Sequence, residues 1–358
     1  MTFEDQFPVL RNYNYLNTAK SGILSERLSD WRKTHDQEFM NLGSGFRLNH
    51  AKLIQEVKHN LARFFNAKED YIYLSNNFSS GLNVLLDGLS ADHRFLLLQG
   101  DYPSINYPVE SRGFICDYAL INGDLEDNIL RKVKEFKPSV LAISLVQYNN
   151  GIKINLDFIK QLKSHYPDLL IIADGTQFCA TQRFDFETSG LDVLIFSGYK
   201  WVLAGYGNAV LFFKDEISDR IYPQRSGYSM PKEAFLKGKK RHSFYFEPGH
   251  LDTLNFGTLN QSILFLEELG IDFIENQIRT ISIKAKEAFS LRGLLAKEVA
   301  KREEHSSIFN LLLEEKTIKR IEEANIIFSA HGDGIRVSFH FYNTESNLNH
   351  LLEMIDSE

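Results

Sequence analysis

The sequence predicts an α/β fold, with a large, mostly parallel sheet sandwiched by helices and a small α+β C-terminal domain. Three observations lead there. At 358 residues the chain exceeds what one hydrophobic core usually serves. Between about residues 50 and 215, short and wholly apolar runs alternate with stretches of helical periodicity. That is the pattern of parallel strands buried on both faces. From about Phe256 it gives way to a long helical stretch, and then to strands closed by a helix. The expected boundaries are 30–255 for the large domain and 256–358 for the small one, with residues 1–29 packing back on the body.

The elements follow in order. His50–Asn66 places Leu53, Val57, Leu61 and Phe64 on one helical face. Tyr71–Ser75 reads as a strand, Ser79–Leu89 as a helix and Phe95–Gln99 as a second strand. Leu125–Phe136 is helical, Val140–Ser144 a third strand, Leu156–His165 a helix and Leu169–Ala173 a fourth strand. Asp192–Phe196 and Asn208–Phe213 are further strands. Thr258–Leu291 reads as a long helical stretch, with Ser306–Leu313, Ile326–Ser329 and Gly334–Phe341 as strands after it. Glu345–Ile355 carries Leu348, Leu351, Leu352 and Ile355 at helical spacing, with Asn343 and Thr344 available as N-caps.

Composition narrows the function classes. Apolar content of 43% and charged content of 24% are ordinary for a soluble globular protein. The net charge of −7 comes from 40 basic and 47 acidic residues spread along the chain. Without a basic cluster interleaved with aromatics, a nucleic-acid surface is not expected. Apolar runs such as Ala209–Phe213 are far too short to span a bilayer, so no membrane partner is expected either. The acidic start, Met1-Thr-Phe-Glu-Asp5, reads as no secretory signal. Only Cys116 and Cys179 are present, without metal-type spacing, which suits a reducing cytoplasm and no metal site.

The most informative pair is Asp174, which follows the apolar run Leu169–Ala173, and Lys200, which closes Ile195-Phe-Ser-Gly-Tyr-Lys200. A carboxylate at the tip of one strand and an amine just past the next are what pyridoxal 5′-phosphate (PLP) requires. The lysine holds the aldehyde covalently, and the carboxylate keeps the pyridine nitrogen protonated so that the ring accepts electrons. Apolar surroundings disfavour the charged amine, and the Gly-rich Ala204-Gly-Tyr-Gly207 lets backbone approach a flat ligand. Asp-Gly is also a common turn, but a carboxylate after five apolar residues calls for a cation to meet it.

Other candidates surround this pair. Gln177, one turn beyond Asp174, is positioned to donate to the cofactor's phenolic oxygen. Ser75-Asn-Asn-Phe-Ser-Ser-Gly81 joins a strand to a helix, where amides and the Ser79 hydroxyl suit a phosphate. Simple N-capping by Ser79 or Ser80 explains that segment equally well. Ser197 and Tyr199 offer further hydroxyls. Tyr102, after a strand end, is placed to stack on a flat ring. Arg336, ahead of an alternating strand, suits bidentate capture of a substrate carboxylate.

Together these stretches resemble the class V aminotransferase family of fold-type-I PLP enzymes, which includes cysteine desulfurases, kynureninases and isopenicillin-epimerase-like proteins. Ala173-Asp-Gly-Thr-Gln177 resembles the family's Asp-x-x-Gln motif, and Ser197-Gly-Tyr-Lys200 its Ser-x-His/Tyr-Lys motif. Phe78-Ser79 is similar to the phosphate loop, and Asp101-Tyr-Pro-Ser104 to the segment bearing the ring-stacking aromatic. Val146-Gln-Tyr-Asn-Asn-Gly151 resembles the loop that contacts ring and substrate, which points to Gln147 or Tyr148. Phe246-Glu-Pro-Gly-His250 resembles the segment that reaches the neighbouring subunit's phosphate, with His250, or Thr253 in its place, as the contact. Arg336-Val-Ser-Phe-His-Phe-Tyr-Asn-Thr344 resembles the family's carboxylate-binding arginine and Tyr-Asn-Thr signature. The likeness runs from about Tyr15 to the C-terminus. It implies a homodimer with the site at the subunit interface and an amino acid as substrate.

The departures also bear on function. Desulfurases carry a nucleophilic cysteine shortly before the arginine, whereas Ser329-Ala-His-Gly-Asp-Gly334 has none. A persulfide-forming desulfurase is therefore disfavoured. Lys20 is a charge where the family has small residues, and solvent is its expected surroundings. Side-chain selection is expected from loops such as Asn41–Arg47 and Tyr222–Lys240. Aminotransferase activity is the first expectation, because it requires only the lysine and the ring. A lyase or epimerase on the same cofactor is the alternative. A retired scaffold would not need both Asp174 and Lys200, and no Gly-x-Gly-x-x-Gly supports a dehydrogenase.

Overall fold

The computed structural model describes residues 3–222, 240–332 and 334–357, and within them the chain builds three sheets. In chain order the strands are β1 (Asn14–Tyr15), β2 (Ile72–Ser75), β3 (Arg94–Gln99), β4 (Ile115–Leu120), β5 (Val140–Ser144) and β6 (Leu170–Asp174). They continue with β7 (Val193–Ser197), β8 (Ala209–Phe213), β9 (Ile308–Leu312), β10 (Ile326–Ile327), β11 (Ser329–His331) and β12 (Gly334–Ser338). The expected loop Tyr222–Lys240 lies, between 223 and 239, outside the described residues.

The main sheet has seven strands in the order β2-β8-β7-β6-β5-β3-β4. β8 runs antiparallel to both neighbours, and the other pairings are parallel. Six strands therefore point one way, and β8 alone is reversed. Every residue of β5, β6, β7 and β8 is buried, which is why these strands are continuously apolar. Each Val, Leu or Ile there contributes roughly 1.5–3 kcal/mol through removal from water. Strand alternation divides the packing: Phe95 and Leu97 face one layer, and Leu96 and Leu98 the other. Register sets Ser144 beside Asp174 and Asp174 beside Ile195, so the carboxyl ends of β5, β6 and β7 open on one edge.

Some elements differ from the sequence expectation. The long C-terminal helical stretch is two helices, Thr253–Leu269 and Ile271–Leu291, separated by Gly270 at φ 84. β4 and the helices Glu26–Leu42 and Pro103–Glu110 were not expected. β4 is the sheet's edge, with Ile115 and Leu120 exposed, so its residues mix apolar and polar without the buried-strand pattern. Ile326–Ser329 is divided between β10 and β11. Of the two proposed caps, Thr344 is the N-cap of Glu345–Asp356, forming a capping box with Asn347.

The N-terminal segment joins the C-terminal strands to the main sheet. β1 pairs in parallel with β10, and Asn17 bridges to Ser338. The chain then crosses the carboxyl edge of the main sheet: Gln177 Nε2 donates to the Ala19 carbonyl at 2.9 Å. Gly22 N donates to the Tyr199 carbonyl at 2.7 Å. A Cβ on Gly22 would collide with the Lys200 carbonyl, so only glycine allows this approach.

Candidate active site

Beyond the carboxyl ends of β2, β3, β5, β6 and β7 lies a cleft. Of the sequence candidates, it gathers Phe78, Ser79, Tyr102, Tyr148, Asp174, Gln177, Ser197, Tyr199 and Lys200. Asn77, Ser144, Val146 and Thr176 complete the lining.

Lys200 is buried, with Nζ 5.6 Å from the Tyr102 ring centroid and 5.5 Å from that of Tyr199. Burial, with Arg336 adding to it against the pull of Asp174, lowers the amine to about 8. Asp174 is buried too, and burial raises its carboxyl to about 6. Its Oδ1 accepts from Thr176 N at 2.7 Å. Neither Lys200 nor Asp174 forms an ion pair with any described residue. Two buried ionisable groups that do not meet each other leave the cleft prepared for a ligand bearing both an electrophile and a cation.

One end of the cleft suits an anion. Asn77 caps helix Phe78–Asp87, its Oδ1 accepting from Ser80 N at 2.8 Å. The cap expected from Ser79 or Ser80 is therefore corrected, and the Ser79 hydroxyl is not used for it. Ser197 Oγ accepts from Phe78 N at 2.9 Å, and Ser197 N donates to Thr176 Oγ1 at 3.1 Å. The Ser79 amide has no partner among the described residues, so a donor at the helix start faces the lined space. An aldehyde-reactive amine, a carboxylate and this anion end fit the three polar ends of PLP.

Gln177 is held at both ends: its Nε2 donates to Ala19 O, and its Oε1 accepts from Trp201 Nε1 at 2.7 Å. One amide hydrogen is left for the cleft. Trp201 also stacks at 5.2 Å on His340, whose Nε2 lies 3.0 Å from the Trp201 carbonyl. Burial lowers His340 to about 4, and its Nδ1 accepts from Phe341 N, so the neutral ring donates through Nε2. This links the segment after β12 to the residue beside Lys200.

Arg336 lies within β12, buried, with Nη1 donating to the Tyr148 carbonyl at 2.7 Å and Nε without a partner. Gln147 is not on the cleft wall. Its side chain turns beneath the cleft, with Nε2 3.4 Å from the Ser144 carbonyl and a hydrogen bond to Asp101. In the alternation of Val146, Gln147 and Tyr148, the two outer residues reach the cleft and the middle one turns away. His250 and Thr253 lie elsewhere in this chain, in a groove with His35, Phe46, Arg47 and His50. There Arg47 Nη2 is 2.9 Å from His250 Nε2, and Thr253 Oγ1 is 3.0 Å from His35 Nε2. Lys20 is exposed, as expected.

The sequence reading passed over Asp101 and Asn77. Asp101 is buried, burial raises its carboxyl, and it accepts from Ser144 N at 2.8 Å and Tyr102 N at 2.7 Å. It follows the apolar run Phe95–Leu98 with two residues between, a looser version of the signal that marks Asp174.

These features define a fold-type-I PLP enzyme: a mostly parallel sheet whose carboxyl edge sets an amine and a carboxylate around one cleft. The model of the class-V aminotransferase family matches residues 28–351, and the chain belongs to that family. Among curated relatives, a probable cysteine desulfurase of Ureaplasma parvum is 24% identical over 313 residues, covering 81% of this chain and 76% of that protein. The uncharacterized aminotransferase YcbU of Bacillus subtilis is 20% identical, covering 99% of this chain and 96% of that protein. Among solved structures, the cystine C–S lyase C-DES, in complex with cysteine persulfide, superposes with a TM-score of 0.87 at 20% identity, covering 98% of this chain and 99% of its own. A C-DES mutant with glycine covalently linked to the PLP cofactor gives a TM-score of 0.87 at 19% identity, covering 99% of both chains. The fold is thus that of PLP enzymes, and PLP is the cofactor. Among the described residues there is no metal-type cluster and no helix long and apolar enough to cross a membrane.

Proposed function

We propose that the chain acts on an amino acid as a PLP-dependent aminotransferase, working as a homodimer. The observation that carries this reading is the buried, unpaired Lys200 facing the same cleft as the buried, unpaired Asp174. PLP supplies an electron sink for negative charge at the substrate's Cα. Burial lowers Lys200 Nζ to about 8, so it is partly neutral near physiological pH; it would be the amine that holds the cofactor's aldehyde and the base for the substrate's Cα proton. With PLP bound, Asp174 would keep the ring nitrogen protonated, and Arg336 would bind the substrate's α-carboxylate. Asn77, Ser79 and Ser197 would hold the phosphate end.

The groove holding His250 and Thr253 supports the dimer. Phe39, Met40, Leu42 and Leu48 expose large apolar surfaces in the segment that contributes to it, and a second copy would cover them.

A second reading is elimination at Cβ, which the desulfurase and C–S lyase names among similar proteins support. Persulfide transfer stays disfavoured. Burial raises the thiol of Cys179 far above its usual range, and Cys116 lies half-buried on edge strand β4. Absorbance spectroscopy with an amino-acid panel tests all of this. Added PLP should give a visible band that moves to the pyridoxamine form, with stoichiometric keto acid released. A band that persists while keto acid and ammonia accumulate would favour elimination, and no band at all would overturn the PLP assignment.

A further inference from the structure

A wall of aromatic rings leads from Lys200 out to the hairpin of β11 and β12. Lys200 Nζ stands 5.6 Å from the Tyr102 ring. Tyr102 meets Tyr148 edge-on at 5.2 Å, and Tyr148 meets His331 edge-on at 6.0 Å. Arg336 fixes the wall from below through its bond to the Tyr148 carbonyl, while its buried Nε remains unpartnered. On the hairpin, Ser329 pairs with Arg336 and His331 with Gly334. Cross-strand partners share a face, and so do residues two apart. His331 therefore leaves the hairpin on the same face as Arg336.

We infer that Tyr148 and His331 form the side-chain subsite, and that its substrates are amino acids with an aromatic side chain ending in a neutral hydrogen-bonding group such as a hydroxyl. The inference rests on the PLP reading above, with the amino group at Lys200 and the carboxylate at Arg336. A substrate held at those two points sends its side chain along Tyr148. Edge-on packing is the geometry by which aromatic rings add attraction beyond simple burial. His331 stands at the outer end of that wall, its ring 6.0 Å from that of Tyr148. Burial first and Arg336 second depress its imidazole below the ordinary value, so the ring is neutral at neutral pH. A neutral imidazole donates through one nitrogen and accepts through the other, which matches a hydroxyl and gives no special attraction to a carboxylate.

The test is titration of the PLP-loaded protein with tyrosine, phenylalanine and alanine, reading dissociation constants from the cofactor's visible spectrum. Tyrosine should bind about tenfold more tightly than phenylalanine, the difference of one hydrogen bond to a half-buried partner. His331→Ala should abolish that tenfold ratio, and His331→Gln, which keeps a donor and an acceptor, should restore part of it. Tyr148→Ala should instead erase the preference of both aromatic substrates over alanine. A tyrosine-to-phenylalanine ratio unchanged in His331→Ala would overturn the subsite. So would equal weakening of all three amino acids, which marks a merely structural residue. A protein that takes up no PLP would overturn the underlying reading and this one with it. One that takes up PLP but shows no ratio overturns the subsite alone.

Discussion

A lysine and a buried carboxylate stand near each end of strands β6 and β7, the lysine half-buried at one end (Lys163) and buried at the other (Lys200). Near their amino ends, Lys163 Nζ meets Asp192 at 2.8 Å and donates to the Pro167 and Leu169 carbonyls, each at 2.9 Å. Asp192 also accepts from Ile171 N at 2.8 Å. At their carboxyl ends, Lys200 and Asp174 share a cleft without meeting. The first pair is satisfied within the protein, as burial of charge requires. The second is left open, and burial moves both groups away from their ordinary values, to about 8 and about 6. The contrast separates charges that hold the sheet together from charges kept for a ligand, a distinction that burial alone does not make.

The largest effect should come from exchanging the two lysines in turn. Lys200→Ala should lose the PLP adduct that borohydride fixes, completely, as read by the mass of the reduced protein. Lys163→Met should keep that adduct and lower unfolding stability by about 3 kcal/mol, because Asp192 would remain buried without its cation. Should Lys200→Ala still form the adduct, the functional half of the comparison fails. Should Lys163→Met leave urea unfolding unchanged, the structural half does.

Asp174→Asn comes next, with a sign set by pH. Burial raises the folded carboxyl to about 6, above its ordinary 3.8. Stability due to this group is intact below 3.8, declines as pH rises toward 6, and stays lost above it. The loss amounts to about 3 kcal/mol. Without PLP, Asp174→Asn should therefore melt higher than the parent at pH 7.5 and equal to it near pH 3.5. With PLP the order should reverse, because the pyridinium supplies the missing cation. A variant that melts alike at both pH values would remove the claim that Asp174 is held against its preference.

The two ends of these strands were not equally legible in the sequence. Asp174 and Lys200 could be found because apolar runs isolate them, and a charge after such a run is conspicuous. Lys163 and Asp192 look like ordinary surface residues, one on an amphipathic helix and one before a strand, and only their meeting across the sheet's end makes them structural. Central strands were readable because they are buried on both faces. Edge strand β4, with Ile115 and Leu120 exposed, carries no such signal. The reversal of β8 was also hidden, because it depends on the route of the chain rather than on apolar pattern. For the loop Val146–Gly151 the sequence left Gln147 and Tyr148 as alternatives, because strand-like alternation alone does not say which of two neighbours turns toward the cleft, and it is Tyr148 that lines it. His331 went unnoticed because its neighbours in the cleft come from a loop more than a hundred residues earlier.

The smallest predicted effect sharpens the comparison on helix starts. Asn77 and Asn155 both cap helices, accepting from Ser80 N at 2.8 Å and Phe158 N at 3.0 Å. Each Asn→Ala change should lower stability by about 1 kcal/mol in urea unfolding of the PLP-free protein. Only Asn77 lines the cleft, at the helix start assigned to the phosphate. Asn77→Ala should therefore also weaken PLP binding, by roughly threefold to tenfold, because a frayed first turn no longer aims its amides at the anion. Asn155→Ala should leave the PLP dissociation constant within about twofold of the parent, since its helix starts outside the cleft. Equal weakening by both variants would mean that PLP affinity follows global stability, and the division between structural and ligand-facing polar groups would not extend beyond the lysine pairs.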